Sequence, residues 1–296
     1  MTVTDRQVPP RPPTDPTAPR SPQMSATAVA PVNRADRPPA DPVRRSSLAR
    51  DTTTVLVREL RPTLRTPFSV IFSMVQPLFF LALFGPLLIS VTGIGTAATL
   101  QTFVPGILVM SALFASSTTG ANLLVEIQTG SHERMLVTPL RRPSLLIGRA
   151  LKEVVPLVAQ AVLIVAVTIP FGFEFSLGGA AVGLVLLAAF GVGLGALSYT
   201  LALAVQAEDW IFWSVQQTLV FPLLLLSGML LPLEDGPGWL QAMSKVNPLT
   251  HIVDAERALF AGELGDQVVL WGALSAVATA LVGLTIGVRA MQHATR

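Results

Sequence analysis

The amino-acid sequence predicts an all-α membrane protein with six transmembrane helices, and three observations carry that prediction. Sixty consecutive residues, Thr66 to Val125, contain no Asp, Glu, Lys, Arg or His. Four more uncharged apolar runs follow, Val154 to Phe173, Phe175 to Ala207, Trp210 to Leu233 and Gln267 to Val288. Each exceeds the roughly 18 residues needed to carry a helix across a hydrocarbon core about 30 Å thick. The composition agrees, because 51% hydrophobic and 13% charged residues, with a mean hydropathy of +0.60, leave little for a large water-soluble domain.

The first run is too long for one span and divides at Thr92-Gly93-Ile94-Gly95-Thr96, where glycines and hydroxyls replace large apolar residues. The expected spans lie near 68–91, 103–125, 147–172, 178–204, 210–232 and 267–288. Basic residues set their orientation, because basic flanks are retained in the cytoplasm. With the N-terminus cytoplasmic, that side holds 18 of the 20 Lys and Arg residues: 11 before the first span, 5 between the second span and the first turns of the third, and 2 at the C-terminus. Only Lys245 and Arg257 lie outside. Both termini are therefore expected in the cytoplasm, the C-terminal tail being 291–296, and the chain is expected in a bacterial plasma membrane as a multi-pass protein.

Residues 1–46 hold 11 of the 24 prolines and almost no large apolar side chains, so they bury too little surface to offset their conformational entropy. They are expected to form a disordered cytoplasmic tail, with no apolar core of a cleaved leader. Its arginines would alternatively meet anionic lipid or a partner. Over 47–66 a helical period places Leu48, Leu56, Leu60 and Leu64 on one face and Arg50, Arg58, Arg61 and Arg65 on another. Such a helix lies flat on the inner leaflet, leucines in the acyl boundary and arginines at lipid phosphates. The alternative is that it packs on a soluble partner.

Several chemistries are excluded. Gly191-Val192-Gly193-Leu194-Gly195-Ala196 has the letters of a dinucleotide-binding turn, but it sits inside a lipid-length run rather than between a strand and a helix. Gly179 with Gly183, Gly191 with Gly195, and Gly283 with Gly287 are each four apart and suit close helix packing. There is no phosphate-binding loop of the G-x-x-x-x-G-K-[ST] type, and only Lys152 and Lys245 are present to build one. Cysteine is absent, and His132, His251 and His293 lie in separate segments, so no catalytic residue, metal site, cofactor site or nucleic-acid partner is assigned. No charged side chain falls at mid-depth in the expected spans. The amides Gln76, Gln160, Gln216 and Gln217 are the candidates for intramembrane hydrogen bonds or a transport path.

Two segments carry more specific signals. Between the second and third spans run Glu126-Ile127-Gln128-Thr129-Gly130-Ser131-His132-Glu133-Arg134, then Thr138-Pro139-Leu140-Arg141-Arg142, then Ile147-Gly148-Arg149. Ser131 can cap a short helix to about Val137, which Pro139 ends. After the fifth span come Ser227-Gly228-Met229, Pro232, Pro237-Gly238-Trp239-Leu240 and Asn247-Pro248-Leu249-Thr250-His251. Asn247 is a good N-cap, Pro248 suits the first helical position and Gly262 suits a helix end, so a helix over 248–261 is predicted. Leu249, Ile252, Val253, Leu259 and Phe260 form its apolar side, and a shorter helix carrying Trp239, Leu240, Met243 and Val246 precedes it.

In these segments and in the six-span layout, residues 50–290, with the transmembrane domain over 67–290, resemble the membrane subunits of type-2 ATP-binding-cassette exporters, above all the daunorubicin-resistance permease group. The resemblance implies a permease that exports cargo using a separate ATPase subunit, which carries the ATP and Mg. It implies that Glu126, Gly130, Glu133, Arg134, Pro139, Arg141, Arg142 and Arg149 form the loop that docks this ATPase. It also implies that Gly228, Pro232, Trp239, Asn247, Pro248, His251 and Arg257 belong to an extracytoplasmic re-entrant hairpin closing the transport path. Two copies of the chain would pair through the first and fifth spans with two ATPase subunits, placing Gln76, Pro77, Gln216 and Gln217 near the path. An uncharged wall rich in Leu and Phe suits an amphipathic drug, secondary metabolite, lipid or lipid-linked glycan. The rival readings are a non-transporting scaffold or immunity factor, and an ion-coupled transporter.

Overall fold

The structure, a computed structural model, describes residues 47–65, 67–131, 142–205, 208–229, 233 and 236–293. Every regular element among them is helical: α1 (Leu48–Arg65), α2 (Pro67–Thr92), α3 (Thr96–Gln128), α4 (Arg142–Lys152), α5 (Val154–Thr168) with a 3-10 turn (Ile169–Phe171), α6 (Leu177–Val205), α7 (Asp209–Leu225), α8 (Gly238–Val246), α9 (Pro248–Ala261) and α10 (Gln267–His293). Helices suit lipid because they satisfy their own backbone groups.

Five stretches are long and apolar enough to cross a membrane: Met74–Val91, Thr96–Gln128, Pro143–Phe171, Leu177–Val205 and Gln267–His293. The expected fifth span is the short one. α7 has 17 residues and ends at Leu225 rather than near 232, so it rises only about 25 Å. Gly228 then turns the chain at φ 67°. The second span starts earlier than expected, at Thr96, because its polar N-terminal residues bond within the helix and to a neighbour. Thr99 Oγ1 donates to the Gly95 carbonyl and Gln101 Nε2 to the Glu174 carbonyl. The third is a broken path, α4 then α5, divided at Glu153.

α3 is the central helix. Phe103 to Leu113 are buried without interruption, which its uniformly apolar sequence allows. α6 packs beside it, α10 packs on the far side of α6, and two apolar cores result. One gathers Phe103, Ile107, Leu187, Phe190, Leu249 and Ile252. The other gathers Val55, Leu123, Leu146, Tyr199, Phe212 and Met291 at the α1 end.

Three of the close crossings fall on glycine. A Cβ at Gly193 would lie 2.6 Å from backbone atoms of Thr279 and Ala280, and one at Gly283 would strike the Gly193 carbonyl. Gly179 and Gly183 admit α9, and Gly287 admits Leu146 and the Ala196 carbonyl. The nucleotide-like glycine string thus lies inside α6, and its middle glycine, outside the expected four-residue pairs, makes the tightest contact of the string.

α1 has three faces rather than two. Asp51, Thr52 and Val55 are buried against α4, where Gly148 leaves room for Val55. Arg58, Arg61 and Arg65 are exposed, whereas Leu56 and Leu60 are half-buried. The side chain of Leu64 lies outside the described residues. The anchoring face is one that the two-sided amphipathic pattern did not single out.

Candidate functional site

At the α1 end, charged side chains from three helices meet Tyr199 of a fourth in a largely enclosed cluster. Arg149 of α4 has a 5% exposed side chain and pairs through Nη2 with Glu126 Oε2 at the end of α3. Its Nε lies 3.8 Å from Glu59 Oε1 of α1, and its Nη1 donates to Tyr199 Oη of α6 at 3.4 Å. The guanidinium also lies 5.6 Å from the Tyr199 ring centroid, a distance that permits cation–π attraction. Lys152 completes the cluster, 4.0 Å from Glu59 Oε2 and 3.5 Å from Glu153 Oε1. Buried charges of this kind persist only when paired. Arginine suits the centre because its planar fork can serve several acceptors at once.

This geometry bears directly on the loop between α3 and α4. Thr129 caps α3, with its hydroxyl on the Val125 carbonyl, and Gly130 follows at φ 66°. Glu126 and Arg149 therefore clamp together the two stems from which 132–141 departs. Glu133, Arg134, Pro139 and Arg141 lie outside the described residues, as does the side chain of Arg142. Glu59 and Tyr199 were not singled out from the sequence. One signal was legible: Glu59 is an acidic side chain midway along an arginine-rich helix.

Nearer mid-depth, Gln216 is buried, and its Oε1 accepts from Ser198 Oγ at 3.3 Å, which also lies 3.1 Å from the Ser117 carbonyl. These groups tie α3, α6 and α7 together. Gln76 and Gln217 are exposed and Pro77 is buried. The four candidate path residues thus divide into an inward-bonded amide, a buried proline and two exposed amides.

At the opposite end, α8 and α9 are two consecutive short helices, and the capping reading of α9 holds residue by residue. Asn247 Oδ1 accepts from the Leu249 N–H at 3.0 Å, Pro248 opens α9, and Gly262 closes it at φ 89°. The expected apolar side of α9 is buried throughout. Trp239, Met243 and Val246 of α8 are exposed.

The α8–α9 pair also supplies what the end of α7 lacks. A helix C-terminus leaves carbonyls without intrahelical donors. Here Asn247 Nδ2 donates to Leu223 O at 2.7 Å, Thr250 Oγ1 to Leu226 O at 2.9 Å and Arg257 Nη2 to Gly228 O at 2.9 Å. Arg257 Nε reaches the Thr102 carbonyl of α3, and its Nη1 reaches Asp254. His251 Nε2 lies 2.9 Å from the Lys245 carbonyl. Pro232 lies outside the described residues.

Asn247→Ala removes both the cap and the α7 bond of a buried residue, so a loss of about 2 kcal/mol is expected. Asn247→Ser keeps a capping oxygen and should fall between Ala and the parent. Thermal unfolding followed by tryptophan fluorescence measures both.

One group on α9 escaped the sequence reading. Glu256 is fully buried, neither of its carboxyl oxygens has a hydrogen-bond partner among the described residues, and burial pushes its pKa up to about 8. A helix of 14 residues is too short to span, so Glu256 fell outside the search of the spans.

Comparison with known proteins covers this framework. The family model described as "ABC-2 type transporter" matches residues 50–261. A daunorubicin resistance ABC transporter permease protein, DrrB1, of Streptomyces coeruleorubidus is 26% identical over 223 residues, covering 75% of this chain and 78% of that protein. A putative transport permease, ycf38, of Cyanophora paradoxa is 32% identical over 213 residues, 70% of this chain and 73% of its own. A probable multidrug ABC transporter permease, YbhR, of Escherichia coli K12 is 25% identical over 165 residues, 54% of this chain and 44% of its own.

Proposed function

The chain belongs to the ABC-2 type transporter family, and from that membership we propose that it is the membrane-spanning permease subunit of an ATP-driven exporter. The observation that carries the coupling part of this reading is the clamp of Glu126 on Arg149. It joins α3 to α4 at the base of the 132–141 loop, and Glu59 ties α1 to the same point. A push on the loop would reach three helices at once.

In this reading the loop docks a separate ATPase subunit, with Glu133, Arg134, Arg141 and Arg142 on its rim, and ATP with Mg acts on that subunit. The chain itself hydrolyses nothing. Both termini are cytoplasmic, α7 serves as the fifth of six spans, and α8 with α9 dips into the outer leaflet as the re-entrant hairpin over the path. Two copies assemble with two ATPases in a bacterial plasma membrane. Exposed apolar side chains along α2 and α7, such as Phe79, Leu83, Leu219 and Phe221, support a lipid-embedded or paired surface there. Drug resistance and multidrug relatives support an amphipathic cargo, which an apolar wall accepts without a counter-ion.

The test is the ATPase that co-purifies from the native membrane in mild detergent. Parent chain should bring down ATP-hydrolysing activity, and the Arg141→Glu/Arg142→Glu variant should lose at least about nine-tenths of it, since like-charge juxtaposition at a docking rim costs several kcal/mol. Equal activity with both would remove the loop from the docking role. No activity with a folded parent would favour a scaffold or an ion-coupled carrier.

A further inference from the structure

Glu256 sits in a slot built by glycine. A Cβ at Gly183 of α6 would overlap Glu256 Oε2, so any other residue at 183 would push this side chain out. The carboxyl is sealed from solvent, and neither oxygen has a partner among the described residues. The helices packed around α9 offer it no charge. α6 has no acidic, basic or histidine residue. Glu126 of α3, and Arg289 and His293 of α10, lie several turns away, at the opposite ends of helices whose near ends touch α9 through Thr102 and Ser275. Lys245 of α8 is exposed. On α9 itself, His251 bonds the Lys245 carbonyl, and Asp254 pairs with Arg257, whose other nitrogens reach Gly228 and Thr102.

A lone carboxylate in such a slot is a poor cation site, because a metal ion takes several oxygen ligands and no group of three potential ligands exists among the described residues. A proton needs only the one group. Burying a neutral acid costs far less than burying its anion.

We infer that Glu256 is a proton-binding site: the packed hairpin holds its carboxyl as the neutral acid, and loss of that proton releases α9 from α6. Burial alone raises this carboxyl from its ordinary 4.5 to about 8. The packed state therefore holds more protons than the released one between those values. Its stability falls as pH rises through that window, then levels off above it. The inference needs neither ATPase nor cargo and stands apart from the transport reading.

Amide hydrogen exchange of residues 252–260, in parent and Glu256→Gln chains in zwitterionic nanodiscs, reads the packed fraction directly. After correction for intrinsic exchange, protection in the parent should fall by up to about tenfold per pH unit between roughly pH 6 and pH 8. The Gln variant should stay flat. Infrared spectra at neutral pH should show a protonated-acid carbonyl band in the parent that the Gln variant lacks. Glu256→Leu is a second pH-insensitive reference should the Gln variant not fold. Identical pH profiles in parent and variant, or absence of the acid band, would overturn the assignment.

Discussion

Arg149→Met is expected to destabilise the chain by about 3 kcal/mol, the low end for breaking a buried ion pair. The loss comes less from the missing attraction than from what remains. Glu126 and Glu59 keep their burial, with side chains 23% and 16% exposed, and the cation between them is gone. Their partial exposure and the nearby Lys152 hold the value below the extreme. Removing the acid as well should reverse part of the effect. Glu126→Gln/Arg149→Met is expected to recover at least about half of the lost stability, since replacing both partners of a buried pair is often near neutral. Arg149→Lys keeps the charge but cannot reach Glu126, Glu59 and Tyr199 together, and should fall between. Thermal unfolding in detergent, read by tryptophan fluorescence, orders the four proteins. A single variant as stable as the parent would mean that the cluster is solvated. In a complex reconstituted with the proposed ATPase partner the double variant separates stability from coupling: a folded chain that no longer stimulates that ATPase would locate force transmission at this clamp.

Gly193→Leu is expected to cost about 3 kcal/mol or more and to leave little monodisperse protein. The neighbours of a new Cβ here are not flexible side chains but backbone atoms of Thr279 and Ala280, 2.6 Å away, and α10 returns the contact through Gly283. The α6–α10 crossing would have to open along its length. Gly85→Ala is the matched control, with no atom within 4 Å of the new carbon; it should be neutral or slightly stabilising through helix propensity. Size-exclusion profiles and melting temperatures distinguish these outcomes, and a well-folded Gly193→Leu chain would show that the crossing can slide.

How far the site was legible differs from one residue to the next. Asn247, Pro248 and Gly262 declared α9 because caps are local: the residue type, its φ and its bond partners lie within a few positions. α1 was legible as a helix but not in its contacts, since Asp51, Thr52 and Val55 make an unremarkable mixed stripe until Gly148 of α4 is placed against them. Glu126 and Arg149 were visible as members of a loop motif. Their pairing across 23 positions, and the arrival of Glu59 from α1, were not. Glu256 was overlooked because an acidic residue in a short amphipathic helix outside the spans ordinarily faces water.

The sequence by itself determined that this is an all-helical membrane chain, because bilayer thickness imposes a length and an absence of charge that can be counted along one dimension. It also determined which family the chain resembles, and where the helix over 248–261 begins and ends. Only the tertiary structure decided which face of each span meets protein, that α7 stops at 17 residues, and which charges share a pocket. The physical reason is that lipid tails are as apolar as a protein interior, so hydropathy does not distinguish the two sides of a membrane helix. Close approach at Gly193, the clamp at Arg149 and the slot at Gly183 are properties of pairs of helices, and no single helix encodes its partner.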